Sequence, residues 1–208
     1  MMHGGAGAIQ APAPTLILAS ASASRRALLA AAGLRFAIVP ADIDEAAVKQ
    51  CVQAAGGTAA AAALELAERK ARAVQCASAL VVGCDQILVC DGAWFDKPPS
   101  VDAARTQLVA LRGRTHELVT ATACVRDGAV VFTNVTVPRL TMRTFSDAFL
   151  DTYLASEGSS VLTSVGAYRL EGAGMHLFDN VAGEQTAILG LPMLPLLAYF
   201  RACGILLE

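Results

Sequence analysis

Apolar and polar positions follow two rhythms along this chain, and the changes of rhythm mark its elements. Leu16-Ile17-Leu18 suits a short buried strand; Leu28, Leu29 and Ala32 then fall at helical spacing, with Gly33 placed to end the helix. Arg35 to Val39 reads as a second strand. After the Gly56-Gly57 break, Thr58 can cap a helix from Ala59 to about Val74, whose face Ala63, Leu66, Ala67 and Lys70 follows i, i+3, i+4, i+7. Ala79 to Val82 and Ile87 to Cys90 read as two strands on either side of Gly83-Cys84-Asp85-Gln86, and Asp91-Gly92 signals a hairpin turn. Ser100 can cap a helix that Gly113 ends. Leu118 to Arg126 reads as a long strand, turned by Asp127-Gly128 and answered by Ala129 to Thr141 as one large hairpin. Ser146 opens a further helix, and a last one runs to about Cys203.

Several residues break these patterns. The joint between the first strand and helix holds Ser20, Ser22, Ser24 and Arg25-Arg26. A helix start leaves N–H donors unpaired and carries partial positive charge, so hydroxyls and a guanidinium there suit phosphate oxygens. The same serines also serve as caps. Asp42-Ile43-Asp44-Glu45 can open a helix, or Glu45 can hold a divalent cation through oxygen. Lys70 ends an apolar stripe: it either snorkels to water or points into a cleft toward phosphate. Asp85 interrupts an apolar run, where an acid is costly without a partner or a task. Gly83 before it would admit a ligand or another backbone. Lys97 stands in a loop fixed by Pro98 and Pro99, and His116 at a strand entry reads as a structural residue. The glycines around Tyr168 and Glu171 suggest a tight wall beside a ligand, or dense turns.

Composition narrows the choices. With 208 residues, 55% of them hydrophobic, the chain can bury one sizeable core or two small lobes. A net charge of −2 argues against a general nucleic-acid binder, so an anionic ligand would have to meet a local cluster of cations. The six cysteines show neither C-x-x-C nor zinc spacing and read as core thiols of a reducing compartment. No apolar run approaches a membrane span, and residues 1–14 read as a mobile Gly, Ala and Pro-rich extension rather than a secretory signal. A cytoplasmic protein without membrane or nucleic-acid partners is expected, with residues 15–208 as a single domain.

Together, Ser20, Arg25, Glu45, Lys70, Asp85 and Lys97 form a set of cations and two carboxylates that fits a polyphosphate with a divalent metal. From Leu16 to about Ile205 the chain resembles the Maf family of nucleoside triphosphate pyrophosphatases. The resemblance rests on LILASASASRRALL, DIDE at Asp42 to Glu45, LAERKA at Leu66 to Ala71, GCDQ at Gly83 to Gln86, DKP at Asp96 to Pro98, GRTHELVT at Gly113 to Thr120 and GLP at Gly190 to Pro192. It implies an α/β fold: a long mixed twisted sheet with flanking helices, bent into two lobes around a central cleft, similar to inosine-triphosphate pyrophosphatases. It also implies hydrolysis of the α–β phosphoanhydride of a nucleoside triphosphate, a divalent metal (Mg²⁺ or Mn²⁺) and a homodimer. Carried over by position, Ser20, Arg25, Lys70 and Lys97 hold phosphates and Glu45 helps hold metal. Asp85 orients or deprotonates the attacking water, directly or through metal. The chain departs from the family at Ala23, Ser24 and Asp96, where the resemblance leads one to expect Pro, Arg and Gly.

Gln86 after Asp85, and Glu171 where pyrimidine-preferring members look to have Gln, resemble the branch acting on 7-methyl-GTP. A carboxylate can accept hydrogen bonds from guanine N1–H and N2–H₂, and methylation at N7 adds a positive charge that it favours. The rivals are a UTP, dTTP or CTP pyrophosphatase of the same family and a non-catalytic nucleotide-binding regulator of cell division.

Overall fold

The computed structural model of the chain describes residues 9–207. Of the extension expected to be mobile over 1–14, residues 1–8 lie outside that range, and the rest is fastened down. Gln10 bridges Leu206 in antiparallel fashion, and its side-chain amide exchanges hydrogen bonds with the Arg35 backbone, donating to the carbonyl at 3.0 Å and accepting from the N–H at 2.6 Å. One buried Gln amide here imitates a strand pair, which a Gly, Ala and Pro-rich composition does not announce.

In chain order, β1 (Leu16–Leu18) leads to α1 (Ala23–Ala31), β2 (Ala37–Ile38), α2 (Glu45–Ala54) and α3 (Ala59–Ala73). β3 (Leu80–Cys90), β4 (Ala93–Phe95), α4 (Val101–Leu111), β5 (Thr115–Arg126), β6 (Ala129–Thr136) and β7 (Arg139–Met142) follow. α5 (Asp147–Glu157) and three 3-10 turns between Gly158 and Leu177 precede β8 (Phe178–Ala182), α6 (Gln185–Ile188) and α7 (Met193–Ala202). The result is a mixed eight-stranded sheet in the order β2-β1-β3-β5-β7-β8, with β4 on β3 and β6 on β5. β1 runs parallel to β2 and β3, whereas β4, β7 and β8 pair antiparallel with their neighbours.

Two expected boundaries change. The two strands on either side of residues 83–86 are one, β3, with Asp85 in its middle. Gly83 does not make a turn; it lets α3 pack on the strand, since a Cβ there would come 2.1 Å from the Ala67 carbonyl oxygen and 2.8 Å from the Ala71 nitrogen. The return strand Ala129 to Thr141 is instead two, β6 and β7, separated at Val137-Pro138. Proline has no N–H to give a ladder, so the pairing breaks there.

The chain divides into two compact units that interleave in sequence. The first contains the described residues up to Asp85, Ala121–Val135 and the chain from Gly190; the second contains Gln86–Thr120 and Thr136–Leu189. Leu18, Leu29, Leu80, Val82, Leu196 and Phe200 anchor the core of the first. Leu88, Leu108, Leu118, Leu140, Leu150 and Tyr153 anchor that of the second. Among the described residues no helix is long and apolar enough to cross a membrane.

Candidate functional site

The first unit assembles five of the expected site residues. At the joint between β1 and α1, Ser22 caps the helix by accepting the Arg25 N–H at 3.4 Å, and its own N–H donates to Ser20 Oγ at 3.2 Å. Arg25 is the tie between segments. Its Nη1 donates to Ser20 Oγ at 3.2 Å and to the Cys84 carbonyl at 3.0 Å, and its Nε donates to the Gly190 carbonyl at 2.8 Å. Gly190 has φ +96°, and a Cβ there would lie 3.1 Å from Arg25 Nε. A guanidinium has five N–H donors; these contacts engage Nε and Nη1 and leave the two on Nη2 to meet an anion. The sequence pointed to Ser20 and Arg25 and offered the serines of the joint as caps, which Ser22 is. It did not assign a role to Gly190, although the GLP stretch was the signal for it.

The carboxylates converge on Lys70. Its ammonium, carried by α3 and only 7% exposed, donates to Asp85 Oδ1 at 2.6 Å and pairs with Glu45 Oε1 at 2.7 Å. The side chain does not snorkel to water; it meets two acids. Asp85 is 4% exposed, and its second oxygen, Oδ2, is buried without a hydrogen-bond partner. Leaving such an oxygen bare costs free energy unless something fills the gap. Glu45, by contrast, opens α2 with its side chain half exposed. The Lys70 ammonium is thus shared between two carboxylates.

This donor set fits a divalent cation. Mg²⁺ is ordinarily held by one or two carboxylates, with phosphate oxygens and water completing its shell. Among the described residues no three His, Cys, Asp or Glu side chains form a metal cluster; Glu45 and Asp85 are a pair of carboxylates that could hold a metal ion. Cys84, next to Asp85, is no nucleophile: burial pushes its thiol above the ordinary range.

Three expected residues belong to the second unit. Gln86 donates through Nε2 to Thr120 Oγ1 at 2.8 Å and to the carbonyls of Ala187 and Ile188 at 2.9 and 3.1 Å. Those oxygens fix the amide, leaving Oε1 as the acceptor that can face a ligand. Lys97 is exposed, in a loop anchored to α4 by the Gln107 amide on the Asp96 carbonyl at 2.8 Å. Glu171 is exposed in the glycine-rich turns, with its carboxylate 3.6 Å from Arg169 Nε. Gly174 packs directly on Arg169, where a Cβ would come 2.4 Å from the carbonyl oxygen, so these turns form a dense platform. His116 is a structural residue, buried with Nε2 2.7 Å from the Tyr168 hydroxyl.

The Maf-like protein family model matches residues 15–203 of the chain. A nucleoside triphosphate pyrophosphatase of Granulibacter bethesdensis is 48% identical over 89% of this chain and 95% of its own length. One of Nitrobacter hamburgensis is 49% identical over 92% and 95%, respectively. A 7-methyl-GTP pyrophosphatase of Rhizobium meliloti is 47% identical over 92% of this chain and 97% of its own. A match of this extent, across the segments that form the acid–lysine cluster and the helix joint, makes the chain a member of the Maf-like family.

Proposed function

We propose that this Maf-family nucleoside triphosphate pyrophosphatase prefers 7-methyl-GTP or a related modified nucleotide and hydrolyses its α–β phosphoanhydride. The observation that carries the chemistry is the buried, unpartnered Oδ2 of Asp85 beside the Lys70 ammonium. A water at Oδ2 gives its proton to the carboxylate as its oxygen bonds to the α-phosphorus. The α–β bridging P–O bond then breaks and pyrophosphate leaves. The free face of Arg25, the Ser20 hydroxyl, the N–H groups of α1 and the Lys70 ammonium are the cations and donors for the phosphate chain; Lys97 is a further phosphate-binding candidate by its place in the sequence. Mg²⁺ or Mn²⁺ held by Glu45 and Asp85 would offset charge on the phosphates.

Support for the base preference comes from Glu171, an exposed carboxylate of the kind a cationic 7-methylguanine favours, and from Gln86, whose Oε1 accepts from N–H donors. Two of the similar proteins carry the name 7-methyl-GTP pyrophosphatase, and others carry the generic name. A nucleotide panel with pyrophosphate detection tests the preference. 7-Methyl-GTP should lead, and Glu171→Gln should shift turnover toward UTP; unchanged selectivity rejects the role of Glu171. In ¹⁸O-water, label should enter the monophosphate; label in pyrophosphate rejects attack at the α-phosphorus. A cytoplasmic homodimer completes the proposal, with light scattering as the check on assembly.

A further inference from the structure

We propose that Lys70 is a tethered cation that occupies the acid pair until a phosphate chain draws it away, so that divalent metal and phosphate chain bind as a coupled pair. The inference rests on the reading of Glu45 and Asp85 as metal-holding carboxylates.

The ammonium stands at hydrogen-bond distance from both acids, 2.6 Å from Asp85 Oδ1 and 2.7 Å from Glu45 Oε1, which is where a cation shared by the two oxygens would stand. A divalent cation needs carboxylate oxygens at about 2.1 Å, inside the volume the ammonium fills. With Lys70 in place, an arriving metal meets a like charge at the oxygens it needs. The bare Asp85 Oδ2 shows that the lysine satisfies this carboxylate only in part, leaving room for a second donor or cation. Burial of Lys70 keeps water from taking over its role.

A triphosphate changes the competition. Its oxygens offer the ammonium new acceptors, and a lysine can change partners by rotating the end of its four-carbon stem. Once it turns, Oδ1 and Oε1 are open to the metal, whose charge replaces that of the lysine. Linkage makes the effect reciprocal: each ligand raises the affinity of the other by the same factor. The metal then enters with the nucleotide rather than ahead of it.

The test is Mn²⁺ binding to the nucleotide-free protein, read by the electron paramagnetic resonance of the free ion. Lys70→Met should bind Mn²⁺ about tenfold more tightly than the wild type, within the usual range of such couplings, and adding Glu45→Gln should abolish the gain. In the wild type, the ¹⁵N–¹H signal of the Lys70 ammonium should move on addition of inorganic tripolyphosphate without metal and stay in place with Mg²⁺ alone. Equal Mn²⁺ affinity in wild type and Lys70→Met, weakened in both by Glu45→Gln, overturns the gate and leaves the metal pair standing. Equal affinity that neither Glu45→Gln nor Asp85→Asn alters overturns both. If Lys70→Met does not fold, the wild-type signal decides: an ammonium that tripolyphosphate does not move overturns the inference.

Discussion

Each unit buries a polar cluster, and the two clusters are built on opposite principles. In the second unit, His116 is 1% exposed, bonded to the Tyr168 hydroxyl and surrounded by the rings of Tyr168 and Phe178. Burial pushes its imidazole down to about 4, so it is neutral at pH 7 and the cluster carries no charge. In the first unit, the Lys70 ammonium is held between two carboxylates, those of Asp85 and Glu45. A neutral pair can be buried for rigidity. A charged triad that shares one ammonium between two acids suits a place where a ligand changes the partners, which is why the proposed chemistry is assigned to the first cluster.

Asp85→Asn breaks this contrast most severely. The amide keeps the shape but cannot take the proton of water. Turnover should fall by about 10²–10⁴-fold, the usual worth of a positioned base, and the thermal midpoint should fall as well, because the buried Lys70 ammonium loses a charged partner. His116→Phe, assayed alongside, should leave kcat within about twofold while lowering stability, because the Tyr168 hydroxyl loses its partner.

Glycine packing sharpens the comparison. Gly83→Ala in the first unit drives a Cβ into the Ala67 carbonyl oxygen, and Gly174→Ala in the second drives one into that of Arg169. Both contacts are with backbone, so neither neighbour can rotate away, and each substitution should cost about 3 kcal/mol in denaturant unfolding. Their functional effects should differ. Gly83 presses on the helix that carries Lys70, so Gly83→Ala should lower kcat; Gly174→Ala presses on the turn before Glu171 and should change base selectivity first.

Acid separates the clusters by another route. The unfolded chain protonates His116 near its ordinary 6.5, whereas the folded chain resists protonation until about 4. Between those values the unfolded state binds more protons. The stabilising contribution is therefore complete above pH 6.5 and lost as pH falls toward 4, about 3 kcal/mol in all at 1.36 kcal/mol per unit. Chemical denaturation from pH 4 to 8 should show this slope in the wild type and a flatter one in His116→Phe.

How far the sequence reveals each unit follows from what local pattern can encode. The helices over Ala59–Ala73 and Val101–Leu111 were legible because their apolar spacing and their Thr58 and Ser100 caps agree. Asp85 and Lys70 stood out as polar residues in apolar runs, and the structure joins them across 15 positions of chain. What they touch was not legible, because a pairing of α3 with β3 depends on packing that periodicity does not describe. Gly83 was legible as a place where another backbone could come close, and α3 is that backbone; only the continuity of the strand through it was not. Gln10 and Gly190 were invisible in their roles, since each acts through a single hydrogen bond or pair to a distant segment.

The smallest effect separates a cap that borders the site from one that does not. Ser22 caps α1 and Ser146 caps α5 by the same device, a hydroxyl accepting the N–H three residues on, at 3.4 and 3.2 Å. Cap removal costs about 1 kcal/mol, and the longer contact at Ser22 places it at or below that figure. On stability alone, Ser146→Ala should therefore be no milder than Ser22→Ala. The backbone of Ser22, however, also donates to Ser20 Oγ, the oxygen that receives Arg25 Nη1. Loosening the first turn of α1 should disturb the hydroxyl and guanidinium proposed to bind the phosphates, raising KM for the triphosphate about threefold to tenfold in Ser22→Ala, or about 0.7–1.4 kcal/mol of lost binding. Ser146→Ala should leave KM unchanged. Equal KM values in the two variants would make the β1–α1 joint an ordinary helix start and move phosphate recognition elsewhere in the chain.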